Sequence, residues 1–212
     1  SHQSPHGEEG FPGNVEAMVE MSLNNDNEIR IDYHADVSRK TPLAMTNHSY
    51  WNLSAFKKTV ENYEVKVFTN SLLELDETGA ATGVVKDVSG TAEDLREGKI
   101  VKDVQEAMGD GFEHFWVFDN PDFTLQKTAE IMDPESGRSL EVFSKEPCML
   151  FYTAKYMSDE LKRETGDQYG KYSAFACETH RWPNGPNIEG SPGTFSTPDK
   201  PFESTTVFKL NF

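Results

Sequence analysis

The feature that most constrains the fold is a pair of period-2 runs around a polar turn. Val15, Ala17, Val19, Met21 and Leu23 fall on one side of the first run. In the second, Ile29, Ile31, Tyr33 and Ala35 alternate with Arg30, Asp32, His34 and Asp36. Asn24-Asn25-Asp26-Asn27 between them is turn chemistry. Alternation of this kind predicts a β-hairpin with one wet face, and His34 falls on that face.

The same pattern recurs down the chain. Tyr63, Val65 and Val67 alternate with Glu64 and Lys66, and 72–75 is a short apolar piece. Residues 78–83 read as a loop. Thr91 can cap one helical turn over 91–96, and Val101, Val104 and Met108 have helical spacing up to Gly109. An aromatic strand follows Gly111. Strands are predicted near 128–132 and 139–143 around a turn at 133–137, and a buried strand over 148–153. Residues 156–168 read as a polar loop with some helix. Ala174-Phe175-Ala176-Cys177 is a short apolar run, 183–201 a loop or lid rich in Pro and Gly, and the chain ends in a strand through Phe208 and Leu210. Short strands, frequent turns and almost no long helix predict an all-β sandwich or barrel in a single domain over 1–212.

Charge narrows the partners. A formal net charge of −16 argues against a nucleic-acid backbone or an anionic membrane, since both attract a basic face. No apolar run has the length of a membrane span. Cys148 and Cys177 lie among apolar residues without metal-ligand spacing, so they read as buried thiols and no metal is expected. That cysteine usage fits a reducing, cytoplasmic setting.

Three polar centres sit beside apolar runs: His48, the Glu113/His114 pair and Glu178. Glu178 follows Phe175-Ala176-Cys177, at or near the end of a buried strand. Loss of solvent there raises a carboxylate's pKa toward that of a useful general base. Imidazole changes charge near neutral pH, so His48 can serve as the matching acid. His48 lies in Thr46-Asn47-His48-Ser49-Tyr50-Trp51-Asn52-Leu53, where rings can stack on a sugar and polar groups can meet its hydroxyls. On spacing alone, a hydrogen-bonded structural His and a strand-end Glu stand beside this reading. Asn47-His48-Ser49 and Asn52-Leu53-Ser54 also match the N-glycosylation pattern.

The stretch 46–53 resembles the signature of the aldose 1-epimerase (galactose mutarotase) family, with Trp51 at a usual Phe. Further motifs follow in the family's order. Ser4-Pro5-His6-Gly7-Glu8-Glu9-Gly10-Phe11-Pro12-Gly13-Asn14 is similar to S-P-D-G-E-E-G-[FY]-P-G-N. Thr82-Gly83, Val88-Ser89-Gly90-Thr91 and Asp94-Leu95-Arg96 match a T-G…V-x-G-T-x-x-D-[FL]-R run. Gly111-Phe112-Glu113-His114 resembles G-[FY]-D-H. Cys177-Glu178-Thr179 with Trp182-Pro183-Asn184-Gly185-Pro186-Asn187 resembles L-E-T-Q-x-x-P-D-A-P-N.

The resemblance implies a galactose-mutarotase-like β-supersandwich that interconverts α and β anomers of a free aldose such as glucose or galactose. It implies His48 as the acid on the ring oxygen and Glu178 as the base on the anomeric hydroxyl. Substrate contacts would come from Asn47, Tyr50, Glu113, His114 and His180. No cofactor is implied, because only protons move. The sequence departs from the family at Glu113 (usually Asp), Phe115 (usually Asn), His180 (usually Gln) and Ser191-Pro192-Gly193 (usually F-P-S).

In the family, the turn cluster at 4–14 lies well inside the domain, behind several strands, a sugar-binding Arg and a further His. The resemblance therefore covers roughly the C-terminal two thirds of the family domain. A sandwich lacking its N-terminal strands leaves open edges that a partner protein chain could cover. A non-catalytic carbohydrate-binding or structural subunit of a larger assembly is the alternative function. A hexose-phosphate epimerase fits less well, because Arg181 alone makes no phosphate-binding cluster.

Overall fold

A computed structural model describes residues 1–160, 162, 164–166 and 170–212. Its strands are β1 (His2–Ser4), β2 (Val15–Leu23), β3 (Glu28–Val37), β4 (Thr41–Pro42), β5 (Glu64–Val67), β6 (Ser71–Leu75), β7 (Ala81–Asp87) and β8 (Lys99–Ile100). The helix α1 (Val101–Met108) follows. Then come β9 (Glu113–Val117), β10 (Gln126–Met132), β11 (Ser139–Ser144), β12 (Cys148–Tyr152), β13 (Ala176–His180), β14 (Phe195–Ser196) and β15 (Phe202–Asn211). None of the described helices is long and apolar enough to cross a membrane.

Two antiparallel sheets face each other, as an all-β sandwich requires. The larger runs β1-β2-β3-β15-β11-β10-β5-β8 and the smaller β13-β12-β9-β6-β7. Ile31, Ala35, Val65, Leu140, Val142 and Phe208 from the large sheet form one apolar cluster with Leu72, Trp116, Met149, Phe151 and Cys177 from the small one. Trp116 and Phe151 are fully buried. Side chains of this size each contribute on the order of 1.5–3 kcal/mol when taken out of water.

The predicted hairpin forms with Val15 opposite Val37 and Leu23 opposite Ile29. Its two strands differ in burial. Ile31, Tyr33, Ala35 and Val37 are buried, whereas Val19, Met21 and Leu23 are exposed. β1 pairs only with residues 15–17. Among the described residues no strand lies along the outer edge of β2 beyond Ala17.

Several expectations need correction. Residues 91–96 form turns instead of a helical turn. Thr91 Oγ1 accepts from the Glu93 N–H and donates to the Val88 carbonyl, and Asp94 receives the Gly90 N–H. These short polar side chains satisfy the backbone locally and replace helical bonds. The loop predicted at 78–83 gives way at Ala81 to β7, an edge strand with Val84 and Val85 exposed and therefore no alternating signal. The lid region carries a 3-10 turn (Gly185–Asn187) and β14, which pairs with β4. Glu178 lies in the middle of β13 and not at its end. The loop expected at 156–168 falls partly outside the described residues.

Candidate active site

The site stands on the outer face of the small sheet. Register places Glu178 beside Leu150, and Leu150 beside Phe115. Side chains alternate along a strand, so Ala176 and His180, Tyr152 and Cys148, and Glu113 and Val117 share that face. Cys177, Thr179, Phe151, Met149, His114 and Trp116 point the other way.

His48 reaches Glu178 from a loop held by its neighbours. Trp51 exchanges backbone hydrogen bonds with Phe175, just before β13, and its ring packs 5.1 Å from Phe208. Asn52 is the staple. Its Nδ2 donates to the carbonyls of Lys58 and Ser173, and its Oδ1 accepts from the Ser54 and Phe56 N–H groups and the Tyr63 hydroxyl. That amide is fully engaged within the chain, which argues against Asn52 as a glycan acceptor. Asn47 Oδ1 accepts the Ser49 N–H and fixes the turn that carries His48.

His48 Nε2 lies 3.3 Å from Glu178 Oε1, with the imidazole side chain 49% exposed and the carboxylate 10%. Burial pushes the Glu178 pKa up, against the pull of His48. The Tyr50 ring tilts over His48 at 4.8 Å and lies 6.4 Å from Tyr152. Burial, then Tyr152 and Glu178, raise the Tyr50 pKa and keep that phenol neutral. The site thus holds an imidazole, a desolvated carboxylate and a neutral phenol around one opening.

On the other flank of Glu178 is a cavity of about 720 Å³. It is lined by Phe115, Leu150, Glu178 and His180 of the sheet and by Phe11, Val15, Ala17 and Leu43 from the N-terminal part of the chain. Trp182 and Asn184 also line it. His180 Nδ1 donates to the Arg181 carbonyl, which leaves Nε2 an acceptor. Burial lowers the His180 pKa, outweighing that backbone contact, so the ring is neutral.

Arg181 is unavailable to a phosphate. Its guanidinium pairs with the buried Glu146 at 2.5 Å, donates through Nε to the Gly193 carbonyl, and lies over the Phe123 ring at 4.2 Å. A side chain at Gly193 would collide with it, a Cβ falling 2.7 Å from Arg181 Nε.

The structure thus brings together His48, Glu178, Tyr50 and Asn47, and places His180 and Glu113 on the same sheet face. It does not bring His114 there. His114 follows Glu113 on β9, and the pleat turns it to the opposite face. There its Nδ1 accepts the Glu113 N–H, and its Nε2 lies 3.3 Å from Glu93 Oε1. The His114 ring meets Phe112 edge-on. The sequence reading missed Leu150, Tyr152 and Trp182. Pairing the alternation of 148–152 with that of 113–117 is the signal that would have found the first two.

The sequence model of the aldose 1-epimerase family matches residues 1–209. The chain is 36% identical to the galactose mutarotase of Sus scrofa, over 98% of this chain and 61% of that protein. It is 29% identical to the aldose 1-epimerase of Escherichia coli (strain K12), over 98% of this chain and 62% of the relative. The chain therefore spans about three fifths of the length of the curated relatives it matches. Two solved structures share the fold. The GalM/aldose epimerase homologue from C. elegans superposes with a TM-score of 0.88 at 23% identity, covering 100% of this chain and 64% of that one. The galactose 1-epimerase from Lactobacillus acidophilus NCFM gives 0.82 at 21% identity, covering 99% and 61%. With the family's motifs in order and its two-sheet fold in place, the chain belongs to the aldose 1-epimerase family.

Proposed function

We propose that the site interconverts the α and β anomers of a free aldose such as glucose or galactose. The observation that carries this reading is the His48–Glu178 contact at 3.3 Å on a carboxylate that burial has made more basic. The ring oxygen and the anomeric hydroxyl are bonded to the same carbon. A proton donor and acceptor serving both must therefore lie within a few ångström of each other, as this pair does.

Glu178 takes the proton of the anomeric hydroxyl, and the electron pair of that O–H bond closes the aldehyde C=O. The C1–ring-oxygen bond breaks, and its pair receives a proton from the His48 imidazolium. Rotation about C1–C2 then presents the other face of the aldehyde. Ring closure reverses the transfers: neutral His48 takes back the hydroxyl proton, and the Glu178 carboxylic acid protonates the carbonyl oxygen. His48, half-exposed on a loop, yields its contact with Glu178 as the sugar enters. Asn47, Tyr50, Glu113 and His180 are the groups assigned to hold the sugar. Proton transfer alone completes the cycle, and no cofactor or metal is assigned.

The finer reading treats residues 1–212 as one unit corresponding to the C-terminal part of the family domain. It rests on motif order and on the 61–62% coverage of relatives. The second reading, a non-catalytic carbohydrate-binding or structural subunit completed by another chain, is favoured by the open edge of β2. Met18, Val19, Met21 and Leu23 are 48%, 45%, 61% and 74% exposed there. A cytoplasmic setting remains part of the proposal, on the two buried thiols.

Polarimetry or NMR of freshly dissolved α-glucose and α-galactose tests the reading. Equilibration faster than in buffer supports turnover. A rate equal to buffer contradicts it and leaves the binding module.

A further inference from the structure

A cluster on the same sheet face, toward the other end of β9, takes no part in the proton transfers. Glu113 opens β9 directly beside Tyr152, the last residue of β12. The chain then turns so that Lys155 and Tyr156 lie over Glu113. The Tyr156 hydroxyl donates to Glu113 Oε2 at 2.6 Å, and Lys155 Nζ is 3.1 Å from the same oxygen. Lys155 Nζ also donates to Asp110 Oδ2 at 2.7 Å and sits 4.9 Å over the Tyr156 ring. The Tyr156 N–H donates to the Tyr152 hydroxyl, and the two rings stack at 6.1 Å.

This arrangement is built and is not a chance surface contact. The Lys155 side chain is only 10% exposed, and its two carboxylate partners offset the desolvation of its charge. Burial alone would lower the Lys155 pKa; the hydrogen bonds it gives to Asp110 and Glu113 raise it instead. Room for the lysine stem comes from Gly111, where a Cβ would fall 2.8 Å from Lys155 Cβ and 2.7 Å from Tyr172 Cε1.

We infer that Lys155 and Tyr156 are positioning residues for sugar recognition: they fix one oxygen of Glu113, so that the other is presented to a ring hydroxyl remote from the anomeric carbon. The inference rests on the carbohydrate reading above. Two strand spacings and two residues separate the Cα atoms of Glu113 and Glu178, roughly 12 Å. Side chains standing up from the same sheet face keep roughly that separation, enough to span a pyranose with a hydrogen bond at each end. A glutamate has one more rotatable bond than an aspartate and loses more freedom on meeting a hydroxyl. The contacts described on its carboxylate all fall on Oε2, so that freedom is already removed before the sugar arrives.

The test is an NMR titration of the full chain with galactose, glucose and their monodeoxy analogues. One analogue lacking a ring hydroxyl should bind wild type about tenfold more weakly than its parent sugar. In the Tyr156→Phe/Lys155→Met variant the parent should fall to that same level while the analogue is unchanged. Lys155→Arg should keep the discrimination. Tyr156→Phe alone changes one hydroxyl on a residue 69% exposed, so it keeps the fold and should show a partial loss, about threefold. Retained discrimination in the double variant overturns the inference, and so does an equal loss for parent and analogue. Wild type that binds no sugar overturns the carbohydrate reading and this one with it, a result distinct from either of those.

Discussion

Two His–Glu pairs sit about the small sheet, each with its imidazole Nε2 3.3 Å from a carboxylate oxygen. Their electrostatics have opposite signs. At His48–Glu178 the carboxylate is the buried partner, and desolvation outweighs the imidazole, so the Glu178 pKa is raised. At His114–Glu93 the carboxylate side chain is 30% exposed. The hydrogen bond from His114 outweighs its desolvation, and the Glu93 pKa is lowered. The Glu113 N–H also donates to His114 Nδ1, which fixes the tautomer with its proton on the nitrogen facing Glu93. A distance alone does not make a catalytic dyad. The pair that keeps a proton-hungry carboxylate at an opening can do acid/base work; the pair that locks its imidazole against a loop holds that loop in place.

The largest expected difference between the pairs is in rate. Glu178→Gln and His48→Asn should each lower anomer interconversion by about 10²–10⁴, the usual contribution of a positioned general acid or base. His114→Asn and Glu93→Gln should leave it within about threefold, since their contact is structural. An equal loss from His114→Asn would break the distinction.

Next is the pH profile. The first half of the cycle needs Glu178 ionised. Its raised pKa moves the acid limb of the rate profile above the ordinary carboxylate value, so activity should fall in mildly acidic solution. A limb at or below that value contradicts the desolvated base.

The smallest effect is on stability, and it has opposite signs at the two sites. Glu178 binds its proton more tightly folded than unfolded. Its favourable contribution is present below the unfolded pKa and lost as pH rises through the folded one, so at neutral pH the ionised group is a cost. Glu178→Gln should therefore raise the melting temperature at pH 7, by about 2–4 °C for a gain near 1 kcal/mol. Glu93 is the reverse case. Its contribution is present above the unfolded pKa and lost as pH falls through the lowered folded value. Glu93→Gln should lower stability at pH 7 by less than about 1 kcal/mol given its exposure, and with it the melting temperature by less than about 4 °C. Calorimetry at pH 7 decides both signs.

Much of this was legible in the sequence because alternation is a direct record of which side of a strand is dry. The hairpin follows from it, α1 follows from the helical spacing of Val101, Val104 and Met108, and β9 through β12 follow from short apolar or aromatic runs between turns. Alternation does not say which face looks where, and His114 shows the consequence. Adjacent residues on a strand must diverge, so Glu113 and His114 could not both face a sugar. The edge strand β7 was silent for a different reason: an exposed strand needs no apolar face. Residues 91–96 carried a helix-start signal, but their Thr and Asp side chains served as turn formers. His48 and Glu178 are 130 residues apart, and nothing local tells that the Trp51–Phe175 bridge brings the loop of His48 against β13. The ordered motifs of the family supplied that pairing; the strand register supplied Leu150 and Tyr152.

The central claim is that His48 and Glu178 form a working acid/base pair. The most direct measurement is the rate at which freshly dissolved α-galactose and α-glucose reach anomeric equilibrium, followed by NMR with wild type and with Glu178→Gln. The account predicts acceleration over buffer by wild type and a return to the buffer rate in the variant. Equal acceleration by the two proteins would contradict the role of Glu178, and no acceleration by wild type would contradict the pair.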